Sequence, residues 1–124
     1  ANTIILVDLF QENYDILNDI IEVTYSLVKS FINMLGKTVT VNWYDASKEA
    51  YIYYDINSVE DVDMLLEYIY NTRFGKEQGM VCFSYLLKND CVNEDELIYI
   101  TVLEDKQEGR TIGIYNDKVV LKCI

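Results

Sequence analysis

The chain has 124 residues, a length that indicates one domain rather than two. Its 10 basic and 21 acidic residues give a net charge of −11, which disfavours binding to nucleic acids or to anionic membranes. The chain has no histidine, which excludes histidine-based catalytic triads and histidine metal ligands. Because 51% of its residues are hydrophobic, it can bury a core, unlike a disordered acidic tail.

The cysteines and the ends of the chain bear on where the protein works. Cys82, Cys91 and Cys123 form no C-x-x-C pair, so they indicate reduced thiols rather than a zinc or redox site. We find no signal peptide and no apolar run long enough to span a bilayer. We therefore expect a cytoplasmic location, or the soluble part of a membrane-anchored parent. Because the chain begins without methionine, we expect residues 1–124 to be one domain of a longer protein.

The first half of the chain predicts a strand, a helix, a hairpin and a second helix. Residues 4–7 are a continuous apolar run typical of a buried parallel strand, and Asp8 follows them. Residues 13–35 have helical periodicity, with Asn13 as the N-cap and Gly36 beyond the C-terminal end. Residues 37–44 and 50–56 alternate as two strands of a hairpin, and a second helix begins after Ser58.

The second half predicts further strands after a third helix. Residues 80–87 form the apolar part of that helix, and residues 97–102 form a second strand of the buried type. The pattern predicts two short strands at residues 111–115 and 118–123, or one interrupted strand over both ranges. This order predicts an α/β three-layer sandwich, Rossmann-like, around a mainly parallel sheet with one antiparallel edge hairpin.

The element order resembles the von Willebrand factor A-like fold over roughly residues 3–103. Four features of this chain carry the resemblance: the Ile-Ile-Leu-Val-Asp strand that ends at Asp8, the long amphipathic helix, the hairpin over residues 39–56, and the Ile98-Tyr99-Ile100-Thr101 strand. A bacterial branch associated with MoxR-type AAA ATPases is similar to this chain in three features: the helix that ends at Leu35-Gly36, the strand with the Val-x-Val-x-Trp pattern, and the strand that contains Ile98-Tyr99-Ile100-Thr101. The resemblance implies a protein-binding domain and a MoxR-type ATPase as its partner.

The family uses a metal-ion-dependent adhesion site, and this sequence departs from its motif. Asp8 matches the first aspartate, but Phe10 and Glu12 stand at the two serine positions, and Val102 stands where the second aspartate would be. Phenylalanine and valine offer no hard oxygen ligand to Mg²⁺. We therefore expect a degenerate site and no cofactor. If an ion does bind, the expected ligands are Asp8, Glu12 and Thr101.

Several of these residues follow strands, where the carboxyl ends of parallel strands form a ligand-binding edge. We expect this edge to bring together Asp8, Phe10, Glu12, Asp45, Thr72, Thr101 and Glu104. Thr72 is the candidate for the threonine that the family's metal site takes from a later loop.

The 11 tyrosines are many for this length, and tyrosine is enriched at protein interfaces. The expected partner surface consists of Phe10, Tyr51, Tyr53 and Tyr54. The alternative interpretation is that the tyrosines are half-buried strand and helix residues.

Three functions remain open. The first is a non-catalytic protein-interaction module with a protein partner, or with a second copy of itself in a homodimer. The second is a divalent-metal-dependent binding module that uses Asp8. The third is a small α/β hydrolase with Asp8 as the nucleophile, which the lack of a phosphate-binding loop after residue 8 disfavours.

Overall fold

The structure, a computed structural model, describes residues 3–11, 13–72, 96–105, 109–116 and 120–123. These residues form two helices and six strands. In chain order they are β1 Thr3–Val7, α1 Tyr14–Asn33, β2 Val39–Asp45, β3 Ala50–Ile56, α2 Val59–Tyr70, β4 Glu96–Asp105, β5 Gly109–Asn116 and β6 Val120–Cys123. The third helix predicted at residues 80–87 lies outside the described residues.

The six strands form one mixed sheet in the order β3-β2-β1-β4-β5-β6. Strand β1 pairs parallel with β2 and with β4, whereas the other three pairings between described strands are antiparallel. The α/β class and the hairpin of β2 and β3 are confirmed, but a mainly parallel sheet is not. Only three residues separate β4 from β5, and also β5 from β6, whereas a parallel crossover needs about a dozen.

Helix α1 begins directly after the predicted N-cap Asn13, and it ends at Asn33, two residues before the predicted end. The Asn13 side chain accepts hydrogen bonds from the backbone N–H groups of Asp15 and Ile16, at 2.8 and 3.3 Å. Gly36 has a φ of 61°, a left-handed conformation, and the N–H of Lys37 then donates to the carbonyl of Phe31 at 3.0 Å. The glycine lets the chain leave the helix and enter β2.

Helix α2 begins with a variant of the capping box. Ser58 Oγ accepts a hydrogen bond from the N–H of Asp61 at 3.4 Å. The carboxylate of Asp61 in turn accepts from the N–H of Asn57 at 2.9 Å. Aspartate therefore takes the role that glutamate usually has, reaching one residue before the cap.

Both helices pack on the same face of the sheet, which we call the helix face. Alternate strand residues point to this face and join the apolar sides of α1 and α2 in one core. Its largest fully buried side chains include Ile5, Val7, Val41, Trp43, Ile20, Leu65 and Ile100. The opposite face, which we call the second face, carries a smaller cluster of Leu6, Phe10 and Tyr99. Within the described part of the chain, no helix is long and apolar enough to cross a membrane.

Candidate functional site

Asp8 lies at the point where β1 ends, beside the neighbouring strand β4. Its N–H donates to the carbonyl of Ile100 at 2.9 Å, so the pairing with β4 continues one residue past the strand. Asp8 is two residues beyond Leu6, and the alternation of a strand therefore directs its side chain to the second face. Only 2% of its surface is exposed.

Both oxygens of the Asp8 carboxylate accept hydrogen bonds from the same chain. Oδ1 accepts from the backbone N–H of Phe10 at 3.0 Å, which forms a tight turn after the strand. Oδ2 accepts from the hydroxyl of Thr101 at 2.6 Å and from the hydroxyl of Tyr99 at 3.4 Å. Three internal donors therefore occupy this buried carboxylate.

Burial raises the pKa of the Asp8 carboxyl above its ordinary value, because desolvation penalises the charged form. The hydrogen bonds from Thr101, Phe10 and Tyr99 act in the opposite direction and lower the pKa, but the effect of burial is larger. The hydrogen bonds therefore favour the charged form of Asp8, whereas its burial favours the neutral form.

The structure brings together two of the three expected metal ligands. Asp8 and Thr101 are in direct contact through a hydrogen bond between their side chains. Glu12 lies outside the described residues. Over the described ranges, no group of three or more acidic or cysteine residues is arranged to hold a metal ion.

The other residues expected at this edge have different partners. Thr72 Oγ1 accepts a hydrogen bond from the indole N–H of Trp43 at 2.8 Å and donates to the carbonyl of Tyr68 at 3.0 Å. Because Trp43 belongs to the helix face, Thr72 is bound on the opposite side of the sheet from the Asp8 carboxylate. Asp45 accepts from the N–H and the hydroxyl of Ser47 within the hairpin turn, at 2.9 and 2.7 Å. The side chain of Glu104 lies outside the described part.

Phe10, which the sequence placed in the partner surface, is buried in the structure. Phe10 is only 7% exposed and packs in the second-face cluster with Leu6 and Tyr99. Its ring lies 5.4 Å from that of Tyr44, which in turn lies 5.3 Å from the ring of Tyr51. Phe10 is therefore part of the core, where its ring contacts other aromatic side chains of the same chain.

The three tyrosines of the expected surface differ in exposure. Tyr53 is 58% exposed, whereas Tyr51 and Tyr54 are half-buried. Tyr54 donates its hydroxyl to the carbonyl of Asp61 at 2.8 Å, and its ring meets that of Tyr68 edge to face at 4.9 Å. Tyr54 thus fastens α2 to β3, and the alternative interpretation of half-buried tyrosines holds for it and for Tyr51.

Tyr99 is the residue of this site that the sequence analysis missed. It lies two residues before Thr101 on β4, so the period of two places both side chains on the second face beside Asp8. The alternation in the Ile-Tyr-Ile-Thr run was the signal that could have identified it.

No protein-family model matches this chain, and no curated protein or solved structure matches it either. The resemblance to the von Willebrand A-like fold therefore stays a prediction.

Proposed function

We propose that this chain is a non-catalytic protein-interaction module with a von Willebrand A-like arrangement, whose position for a metal ion is closed by hydrogen bonds within the chain. The observation that carries this proposal is the Asp8 carboxylate, which is buried and occupied by Phe10, Tyr99 and Thr101. The partner protein contacts surface side chains of this chain directly, and no metal ion bridges the two proteins.

The burial of Asp8 argues against a magnesium-dependent mode of binding. Mg²⁺ requires an octahedral oxygen shell and keeps several of its water molecules in protein sites. A carboxylate that is 2% exposed leaves little room for those waters or for a partner's carboxylate. The threonine hydroxyl that would complete the metal shell donates its proton directly to Asp8 instead.

The same contacts argue against hydrolysis with Asp8 as the nucleophile. A nucleophilic carboxylate must reach a substrate, and a phosphoryl or acyl substrate also needs donors that stabilise its developing charge. At Asp8 the backbone N–H of Phe10 and the hydroxyl of Thr101 already donate to the carboxylate itself. This arrangement supports a structural role for Asp8 within the module.

The side of the molecule formed by β3 and α2 supports a protein partner. Exposed apolar side chains occur on both elements. Val59, Met64 and Tyr68 are exposed on α2, whereas Tyr53 is exposed on the second face of β3, because it pairs with Asn42. Neither β3 nor α2 contains a lysine or an arginine, whereas α2 exposes Glu60, Asp63 and Glu67. Tyrosine and methionine are enriched at interfaces, and the acidic residues select a partner with a basic surface. A MoxR-type AAA ATPase, which the resemblance implies, is the first partner to test.

The metal-independent part of the proposal is tested by thermal unfolding with Mg²⁺, Mn²⁺ and Ca²⁺ at matched ionic strength. We expect no saturable rise in Tm for the wild type beyond the rise for Asp8→Asn, because no ion binds the native state. Ionic strength must be matched because any cation screens a chain of charge −11. A saturable rise that Asp8→Asn abolishes would instead establish a metal-dependent module.

The partner surface is tested with Tyr53→Ser and a purified MoxR-type ATPase from the same genome. We expect wild-type binding, at least tenfold weaker binding by Tyr53→Ser, and unchanged binding by the control Tyr14→Ser. Tyr14 is a suitable control because it is also an exposed tyrosine, at 78%, but lies on a different element, at the start of α1. Equal losses for both variants, or no binding by the wild type, would count against this surface and this partner respectively.

A further inference from the structure

A polar groove lies at the end of the sheet opposite to Asp8, where the parallel strands begin. It has a volume of about 220 Å³ and lies between the starts of β1 and β2 and the end of β3. The residues that line it are Thr3, Thr38, Val39, Thr40, Asp55 and Asn57. Five of these six side chains are polar, and none is basic.

The carboxylate of Asp55 supplies the charge of this groove. Its Oδ1 accepts a hydrogen bond from the hydroxyl of Thr40 at 2.7 Å, across the register pair of β2 and β3. This bond orients the carboxylate and leaves Oδ2 without a donor among the described residues. The hydroxyl of Thr38 and the side-chain amide of Asn57 likewise have no hydrogen bond to another described residue.

A second observation also indicates a shortage of donors on this part of the sheet. Asn42 follows Thr40 by two residues on the same face of β2 and is 4% exposed. Its Oδ1 is buried and accepts no hydrogen bond from the described part of the chain. A buried acceptor without a donor is costly, but Asn42 does not line the groove, so its unpaired oxygen describes this face of β2 and not the groove itself.

The size of the groove limits the class of ligand. Sites for cofactors and drug-sized molecules usually measure about 300–1,000 Å³. The groove therefore suits the head group of one long side chain rather than a nucleotide or a cofactor.

We propose that this groove receives an arginine side chain of the partner protein. A guanidinium offers five N–H donors and no acceptor, which matches a lining of carboxylate, hydroxyl and amide oxygens without a basic residue. The acidic character of the whole chain draws such a cation towards it. This proposal rests on the proposed function, because it names the chemistry by which the partner is recognised.

The groove is tested by titrating the ¹⁵N-labelled chain with N-acetyl-arginine methylamide and following the backbone amide signals. We expect saturable shifts at Thr38, Thr40, Asp55 and Asn57, weak in affinity because a single exposed ion pair contributes little. The citrulline analogue has the same shape without the charge and should give no saturable shift. The lysine analogue should bind several-fold more weakly than arginine, because it lacks the planar fork of donors.

The matched variants are Asp55→Asn and Asp19→Asn, which remove one carboxylate each from exposed positions. We expect Asp55→Asn to weaken binding of the arginine analogue at least fivefold, and Asp19→Asn, on α1, to leave it unchanged. The proposal is overturned if the shifts do not saturate, if they occur equally along the acidic side of α2, or if Asp55→Asn binds like the wild type.

Measurements of partner binding distinguish a failure of this proposal from a failure of the proposed function. If Tyr53→Ser weakens binding to the partner and Asp55→Asn does not, the module binds proteins but not through this groove. If no protein partner binds while the arginine analogue still saturates the groove, the proposed function fails and the groove's preference for a guanidinium stands.

Discussion

The Asp8 carboxylate accepts three hydrogen bonds within the chain, although its burial opposes the charged form. Its three donors come from Phe10, two residues further along the chain, and from Tyr99 and Thr101 on β4, over 90 residues away. These bonds tie the end of β1 to β4. Burial nevertheless raises its pKa, so the charged form is opposed by its surroundings.

The change Asp8→Asn is expected to increase stability at neutral pH. An asparagine Oδ1 still accepts from the N–H of Phe10, and its amide can donate to the hydroxyls of Tyr99 and Thr101, which also accept. The variant thus removes a buried charge while keeping the bonds. We expect it to be more stable than the wild type at pH 7 by on the order of 1 kcal/mol in urea unfolding.

The pH dependence of the stability difference between Asp8→Asn and the wild type tests whether the buried charge of Asp8 causes it. A carboxyl whose pKa is raised on folding binds its proton more tightly in the native state, so its favourable contribution is complete below the ordinary value of 3.8. That contribution is lost as the pH rises through the folded-state pKa. The advantage of Asp8→Asn should therefore shrink as the pH falls from 7 to about 4. An advantage that stays constant with pH would contradict the assignment.

Among the elements, the end of α1 offers a clear test of backbone conformation. Gly36 has a φ of 61°, and a Cβ atom added to it would meet nothing within 4 Å. The change Gly36→Ala therefore introduces strain without collision. We expect a loss of about 1 kcal/mol in the free energy of unfolding. Gly36→Asn should lose less, because asparagine tolerates the left-handed region, and equal losses would point to another cause.

The elements that the sequence predicted correctly depend on local signals. Asn13 and Ser58 cap the helices through bonds to residues two or three positions away, and these bonds are visible as short sequence patterns. The alternation in β2 and β3 similarly indicated the hairpin that the register confirms. Local propensity and tertiary packing agree in these elements, which is why the sequence alone was sufficient.

The features that the sequence did not predict depend on long-range packing. The pattern around Phe10 does not show that Tyr44, over 30 residues away, covers its ring. Thr72 was expected beside Asp8, but the indole of Trp43 needs a buried acceptor, and Thr72 supplies it. The proximity of Asp8 and Thr101 was expected only because of the resemblance, which supplied the spatial neighbourhood that spacing alone does not.

On the scale of the whole molecule, the charge of −11 has two consequences with opposite dependence on salt. Repulsion between carboxylates weakens the folded state, and salt relieves it within a Debye length of about 10 Å at 0.1 M. Attraction to a basic partner speeds the encounter, and salt reduces it. Added salt should therefore raise the urea midpoint and lower the association rate constant of the same protein.

The acidic side of α2 provides the variant that separates these two effects. The triple change Glu60→Gln, Asp63→Asn and Glu67→Gln removes three exposed carboxylates beside the proposed surface. We expect it to lower the association rate constant for a basic partner at least fivefold at low salt, with a smaller change in the dissociation rate. The measurement is stopped-flow or biolayer interferometry over a range of ionic strength.

The control removes the same number of charges from α1, through Asp15→Asn, Asp19→Asn and Glu22→Gln, which are also exposed. Both triple variants change the net charge from −11 to −8, so a purely global attraction would slow association equally in both. A local interface predicts a larger loss for the α2 variant and a flatter salt dependence of its association rate, because the lost charges lie closest to the partner. Equal losses in the two variants would remove the electrostatic argument for the side formed by β3 and α2.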